Sequence, residues 1–226
     1  MEKKLIVAID GPSGAGKSTL SKALANELGY INIDTGAMYR SVALLAQQRH
    51  VDLHDNVALK ALCAEISITF KPHRDGERVF VNSLDVTDAI RTPQVSLLTA
   101  QVAASSVVRE AMLGQQRHLG QGGGVVLEGR DIGTVVFPHA DVKFYLSATA
   151  EERGRRRYEE LIARGEQVDL QQTIDEVEAR DDADQQRTHA PLVQAPDAIV
   201  IDSTQMTIEE VLNLMINAVR EKENQR

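Results

Sequence analysis

Leu5-Ile6-Val7-Ala8-Ile9-Asp10-Gly11-Pro12-Ser13-Gly14-Ala15-Gly16-Lys17-Ser18-Thr19 is the stretch that decides the fold. Its apolar run predicts a buried strand, and residues 11–18 then fit the pattern of glycine, four residues, glycine, lysine and serine or threonine. Gly11, Gly14 and Gly16 can take backbone conformations that a Cβ forbids, so successive N–H groups can turn inward around phosphate oxygens. The loop opens a helix whose N-terminal dipole adds favourable charge for an anion. Leu20, Ala23, Leu24 and Leu28 supply the spacing of that helix, and Gly29 ends it. Lys17 offers a mobile cation for β and γ phosphates, and the Ser18 hydroxyl has the size and hardness to ligate Mg²⁺. The motif predicts a nucleoside triphosphate site.

The other apolar runs, at residues 30–33, 125–127, 142–146 and 198–201, are separated mostly by helical patterns. That alternation predicts an α/β fold, a parallel sheet covered on both faces. Residues 66–87 break it, alternating with period two around Arg74-Asp75-Gly76, and predict a small antiparallel insertion with a third short strand near Val86. Helical sequence runs over 93–118, and the glycines of 120–124 give a flexible entry to the next strand. In the last helix Ile208, Val211, Leu212, Met215, Ile216 and Val219 form one apolar stripe, read as core packing, with a capping box at Thr207 and Glu210.

The 226 residues, 42% of them hydrophobic, suit one domain with insertions. A net charge of −8 and the lack of a long Lys/Arg block argue against a nucleic-acid polymer as partner. The single cysteine, Cys63, permits no intrachain disulfide and no cysteine-based zinc site, and is expected to pack in a helix. The apolar stretch near the N-terminus is too short for a signal h-region or a membrane span. A soluble, cytoplasmic monomer is the expectation.

The partner of the triphosphate must come from the carboxyl ends of the other strands, where open α/β sheets bind ligands. Three segments qualify. In Asp34-Thr35-Gly36-Ala37-Met38-Tyr39-Arg40, Thr35 can cap the next helix, and Arg40 either points back to the sheet edge or is an ordinary solvated helix residue. In Glu128-Gly129-Arg130-Asp131, an acid can organise Mg²⁺ through water and Arg130 can clamp phosphate; the competing reading is an Arg-Asp pair in a turn. The third is Arg153, Arg155, Arg156 and Arg157, in a helix that Thr149 and Glu152 cap, followed by Arg164 and the polar cluster from Arg180 to Arg187. It is either a mobile cover carrying Arg153, Arg156 and Arg157 to the triphosphate or a surface helix with Glu152–Arg156 pairing.

Taken in order, GPSGAGKST at 11–19, DTGAMYR at 34–40, VRE at 108–110, EGRDIGTVVFP at 128–138 and ARDDADQQR at 179–187 resemble the bacterial cytidylate kinases, among the adenylate-kinase-like nucleoside monophosphate kinases. The likeness spans almost the whole chain. It implies a P-loop NTPase-type five-stranded parallel sheet flanked by helices, with a small antiparallel β-containing monophosphate-binding insertion and a short helical lid. The single domain then divides into a core of about 1–35, 105–150 and 190–226, an acceptor-binding region of about 36–104 and a lid of about 151–189.

The resemblance implies transfer of the γ-phosphoryl group from Mg·ATP to CMP, and to dCMP, with nucleotides as the partners and Mg²⁺ as cofactor. Gly11, Pro12, Ser13, Gly14, Ala15, Gly16, Lys17, Ser18 and Thr19 would hold ATP, with Arg153, Arg156 and Arg157. Thr35, Arg40, Arg109, Arg130, Asp131, Arg180, Asp184 and Arg187 would hold the acceptor. Within these sets Lys17, Arg130, Asp131 and Arg187 would be catalytic and Ser18 would meet the metal. Arg40, Arg130 and Arg187 fall to the phosphate, Arg109 and Asp131 to the cytosine, and Arg180 and Asp184 to the sugar.

A carboxylate accepts from the N4 amine of cytosine and opposes O4 of uracil, which makes Asp131 the discriminating residue. Family members can carry a serine before the glutamine where this chain has Ala100 before Gln101, and Thr99 or Ser96 is expected to stand in. Rival readings are the same scaffold with UMP, AMP, shikimate or a sugar acid as acceptor, and a nonenzymatic nucleotide-binding module. A GTP switch protein would need an Asn/Thr-Lys-x-Asp motif, and a transport ATPase an LSGGQ-like signature. The sequence has neither.

Overall fold

A computed structural model describes residues 4–73 and 76–225. Five strands form a parallel sheet: β1 (Ile6–Asp10), β2 (Ile31–Asp34), β6 (Val125–Glu128), β7 (Val142–Ser147) and β8 (Ile199–Asp202), in the spatial order β2-β6-β1-β7-β8. Each of the five expected apolar runs becomes one of these strands, shifted by about a residue. β1 lies at the centre, bonded to β6 on one side and β7 on the other. The chain therefore leaves β1 in both directions, and the crevice at its carboxyl end is where such sheets bind ligands. Register does the rest: Ile9 and Asp34 both pair with Glu128, so Asp10, Asp34 and Glu128 emerge at one end of the sheet.

Alternation along β1 builds two cores. Ala8 faces the layer of α2 (Thr35–Gln48), α3 (Asn56–Ala64), α4 (Pro93–Ala104) and α5 (Ser106–Gly120), where Met38, Leu59, Val102 and Met112 are buried. Val7 and Ile9 face α1 (Lys17–Leu28) and α8 (Ile208–Asn224), against Leu24, Phe144, Val211 and Met215. Cys63 is buried in α3, as expected. Gly29 stops α1 at φ 62°, and the Thr207–Glu210 capping box starts α8.

Three local expectations are corrected. Thr35 does not cap α2: Asp34 does, accepting from the Ala37 N–H at 2.9 Å, while the Thr35 hydroxyl donates to the Glu128 carbonyl at 2.6 Å and ties β2 to β6. Residues 93–118 are two helices, broken at Ser105 by an extended ψ of 121°. The α8 stripe is core only from Val211 onward, because Ile208 is 58% exposed and opens onto the cleft described below.

The insertion is a three-stranded antiparallel sheet of β3 (Ile68–His73), β4 (Gly76–Val81) and β5 (Leu84–Asp85). The third strand lies just before Val86, and Arg74 and Asp75 of the expected turn fall outside the described residues. Glu77 of β4 docks this sheet on the open edge of β2, accepting from the Asn32 backbone N–H at 2.8 Å and its Nδ2 at 2.7 Å. Two further helices, α6 (Ala150–Ala163) and α7 (Leu170–Gln185), pack tightly together. A Cβ on Gly154 would lie 2.4 Å from Ile174 Cγ1 and 2.8 Å from its Cα. Among the described residues no helix is long and apolar enough to cross a membrane.

Because the backbone of Ile174 cannot yield as a side chain tip could, Gly154→Ala should destabilise the protein by about 1–3 kcal/mol. Chemical denaturation checks this; a variant as stable as the parent would show that α6 and α7 separate freely.

Candidate active site

A cleft of about 790 Å³ opens at the carboxyl end of the sheet. Ser13 to Thr19 form one wall, and Thr35, Arg40, Arg109, Arg130, Asp131, Arg180, Asp184 and Arg187 line the cleft with them, as do Arg156 and Arg157 of α6. Sequence positions far apart are thus brought together. Gly11, Pro12 and Arg153 are not on the cleft wall. Gly11 lies so close to β7 that a Cβ would be 2.1 Å from the Leu146 carbonyl oxygen, and the Pro12 carbonyl accepts from Lys17 Nζ at 2.5 Å. Their work is to shape the loop.

Four arginines opposite the phosphate loop, Arg40, Arg109, Arg130 and Arg187, are each aimed by an acid. Arg40 points back to the sheet, bonding Asp34 at 2.7 Å, so it is not a solvated helix residue. Burial opposes ionisation of Asp34, but Arg40 and the Ala37 N–H outweigh it and hold its carboxyl below the usual value. Arg109 meets Asp131 at 2.5 Å, and its guanidinium lies 5.7 Å from the Tyr39 ring centroid. Asp184 takes Arg130 Nε on one oxygen at 2.7 Å and Arg187 on the other. Burial opposes its ionisation too, yet Arg130 and Arg187 keep its carboxyl low. Arg180 stands open in the cleft, where enclosure and the neighbouring Arg130 bring it down to about 10 against the pull of Asp184.

The surroundings of the phosphate loop are more crowded. Burial, followed by repulsion from Arg130 and Arg180, pushes Lys17 well below its ordinary value, with Glu128 and Asp10 opposing. Glu128 is itself raised to about 7 by burial and by Asp34, while the Ser18 hydroxyl lies against it. Its Oε1 is buried without a hydrogen-bond partner. Hard oxygen donors and an unsatisfied carboxylate oxygen beside Ser18 fit a Mg²⁺ ion held through water. Among the described residues no cluster of three His, Cys, Asp or Glu side chains could hold a metal by protein ligands alone.

The arginine-rich helix divides into distinct roles. Arg153 is buried and donates to the carbonyls of Ala148 and Ser13 at 2.9 Å each and to Asp181, so it is a fixed strut and not part of a mobile cover. Arg156 bonds Glu152, as the surface-helix reading has it, and also holds the Ser203 carbonyl at 2.7 Å. Among the described residues Arg157 pairs with the half-exposed Glu160, at 2.8 Å, a contact worth roughly 0.3–0.5 kcal/mol. Of the three, it is the one that can move at little cost.

Sequence reasoning missed several groups on these walls. Met206 and Thr207 before α8 and Ile208 at its start line the cleft, as do Ser96 and Thr99, the two residues expected to stand in for a serine at position 100. An apolar residue at the first turn of a helix carries no signal that would have set Ile208 apart. Asp10 acts from behind: its two oxygens accept from the Ile132 and Gly133 N–H groups at 2.8 and 2.7 Å, fixing the turn that carries Arg130 and Asp131.

A phosphate loop and an arginine-lined pocket sharing one cleft on a five-stranded parallel sheet define a phosphotransferase of the P-loop class. The Cytidylate kinase family model matches residues 7–221. Cytidylate kinase of Syntrophotalea carbinolica is 59% identical, covering 99% of this chain and 95% of the relative. Those of Geobacillus thermodenitrificans and Bacillus subtilis are 50% and 47% identical, each covering 98% of this chain and 99% of the relative. The chain belongs to the cytidylate kinase family.

Burial raises Asp10 from 3.8 to about 6, despite the two backbone donors. Between those values the folded protein holds a proton that the unfolded chain has released, so this residue makes stability fall as pH rises from about 4 to about 6. Asp10→Asn should remove that slope and, by turning an amide N–H toward a backbone N–H, cost about 1–3 kcal/mol. Thermal midpoints across this pH range test both effects, and an unaltered slope would contradict them.

Proposed function

We propose that the cleft transfers the γ-phosphoryl group of ATP directly to the α-phosphate of CMP or dCMP, giving ADP and CDP or dCDP, with the donor on the Ser13–Thr19 loop and the acceptor among the arginines opposite. The observation that carries this reading is the paired arrangement: Lys17 and the acid-aimed Arg40, Arg130 and Arg187 line the same cavity. No covalent enzyme intermediate is needed, since the acceptor phosphate is already anionic near neutral pH. The chain's task is to bring two polyanions into line and to neutralise the group in transit.

Loop N–H groups and Lys17 bind the β and γ phosphates. Ser18, with Glu128 acting through water, would hold Mg²⁺, which would offset the charge of the phosphates. Arg40, Arg130 and Arg187 seat the acceptor phosphate, and Arg180 faces its sugar with Asp184. Arg157, on the lid, supplies a further cation to the triphosphate. Met206 and Ile208 offer apolar surface to the donor's base. Core, acceptor region and lid follow the boundaries near 36, 104, 151 and 189. One chain supplies both halves of the cleft, which supports a monomer.

Base choice follows from hydrogen-bond polarity. Ser96 and Thr99 spend their hydroxyl protons on the carbonyls of Thr92 and Val95, at 3.0 and 2.6 Å, so they face the cleft as acceptors. Ala100 is exposed and off the cleft wall. Together with Asp131 these hydroxyls suit the N4 amine of cytosine and repel O4 of uracil.

ADP release from Mg·ATP, measured with CMP, dCMP, UMP, AMP and shikimate in turn, tests the assignment. CMP and dCMP should lead, and Asp131→Asn should shrink the CMP-to-UMP ratio of kcat/KM by about tenfold or more, one base contact being worth about 1–3 kcal/mol. Equal rates with UMP, or an unchanged ratio in the variant, would overturn the base reading.

A further inference from the structure

Helix α7 faces both halves of the cleft at once. Arg180, Asp184 and Arg187 project into the acceptor pocket. Asp181 is buried with Thr173 and Val177 and meets the phosphate loop instead. There one carboxylate oxygen accepts from the Ser13 backbone N–H at 3.0 Å and the other meets Arg153. Arg153 in turn donates to the Ser13 carbonyl at 2.9 Å. Both backbone polar groups of Ser13, one from each of the two peptide units that flank it, are therefore held by the two members of one ion pair, each about nine-tenths buried. Gly14 closes the contact: a Cβ there would sit 2.9 Å from both Arg153 Cβ and the Arg153 carbonyl oxygen.

A buried ion pair at a core position is a poor way to gain stability, because apolar residues of similar volume commonly do as well or better. What it supplies here is direction. From this geometry we infer that Asp181 and Arg153 are positioning residues that fix the phosphate loop from the lid side and make α7 a rigid link through which the two nucleotide pockets set each other's affinity. The linkage rests on the donor and acceptor assignment above; the positioning of the loop does not. A nucleotide seated against Arg180, Asp184 and Arg187 holds α7, and α7 holds Ser13. By reciprocity the loop, once occupied, must tighten the acceptor pocket by the same factor.

The test uses Arg153→Met/Asp181→Leu, which removes both charges and leaves neither unpaired, with Asp181→Asn as the milder change. Amide hydrogen exchange at Ser13 and Gly14, read without nucleotide, should quicken by about tenfold or more in the double variant. Unchanged exchange overturns the positioning role whatever the substrates are. Calorimetric titration of CMP with and without the Mg complex of the β,γ-imido analogue of ATP reads the linkage. In the parent each nucleotide should tighten the other by at least about fivefold. In both variants that factor should fall toward one, with the affinity for CMP alone within about twofold of the parent. A factor kept at the parent's value overturns the link through α7.

Discussion

Like charges crowded into one cleft are the constraint on which the rest of the structure depends. Burial first, and then mutual repulsion among Lys17, Arg130 and Arg180, drives Lys17 well below its ordinary value and Arg180 to about 10. The buried carboxylates keep this array in place. Asp34 aims Arg40, Asp131 aims Arg109, and Asp184 divides its two oxygens between Arg130 and Arg187. Groups held in this way need no reorganisation when charge moves between two phosphates, the property that makes fixed dipoles and ions effective in a transition state. A chain of net charge −8 thereby presents a local cationic pocket.

The sheet makes the array possible. Parallel register places the ends of β1, β2 and β6 side by side, so Asp34 and Glu128 stand at the floor of the cleft with Asp10 buried behind them. Asp10 then fixes the turn after β6 by its backbone, and Thr35 ties β2 to β6 from the other side. The phosphate loop, Arg40, Arg109, Arg130 and Asp131 sit just past strand ends or near helix starts, whose positions two separate cores enforce. Mobility is left to pairs that cost little to break, such as Arg157 with Glu160.

Local patterns carried much of this in the sequence. The apolar runs, the glycine loop and the period-two insertion each follow from short-range sterics and burial, and each is a strand, loop or sheet where expected. What spacing could not carry is the partner of a side chain. Arg153, Arg156 and Arg157 share one helical face, yet Asp181, 28 residues further on, turns the first into a strut, and Ser203 holds the second. Ser105 breaks a helical run with no proline or glycine to announce it. Thr35 and Asp34 are both good caps, and only the neighbouring strand decides that Thr35 is engaged elsewhere. Glu77 and Asn32 join two sheets through a contact that no periodicity encodes.

Two anion pockets facing each other across one cleft are the central claim, and a ligand that spans both tests it most directly. Adenosine and cytidine joined through five phosphates should bind at least about a hundredfold more tightly than Mg·ATP alone, because the second half binds at high effective concentration. Lys17→Ala should erase most of that gain. Affinity of the joined ligand no better than that of ATP alone would contradict the account.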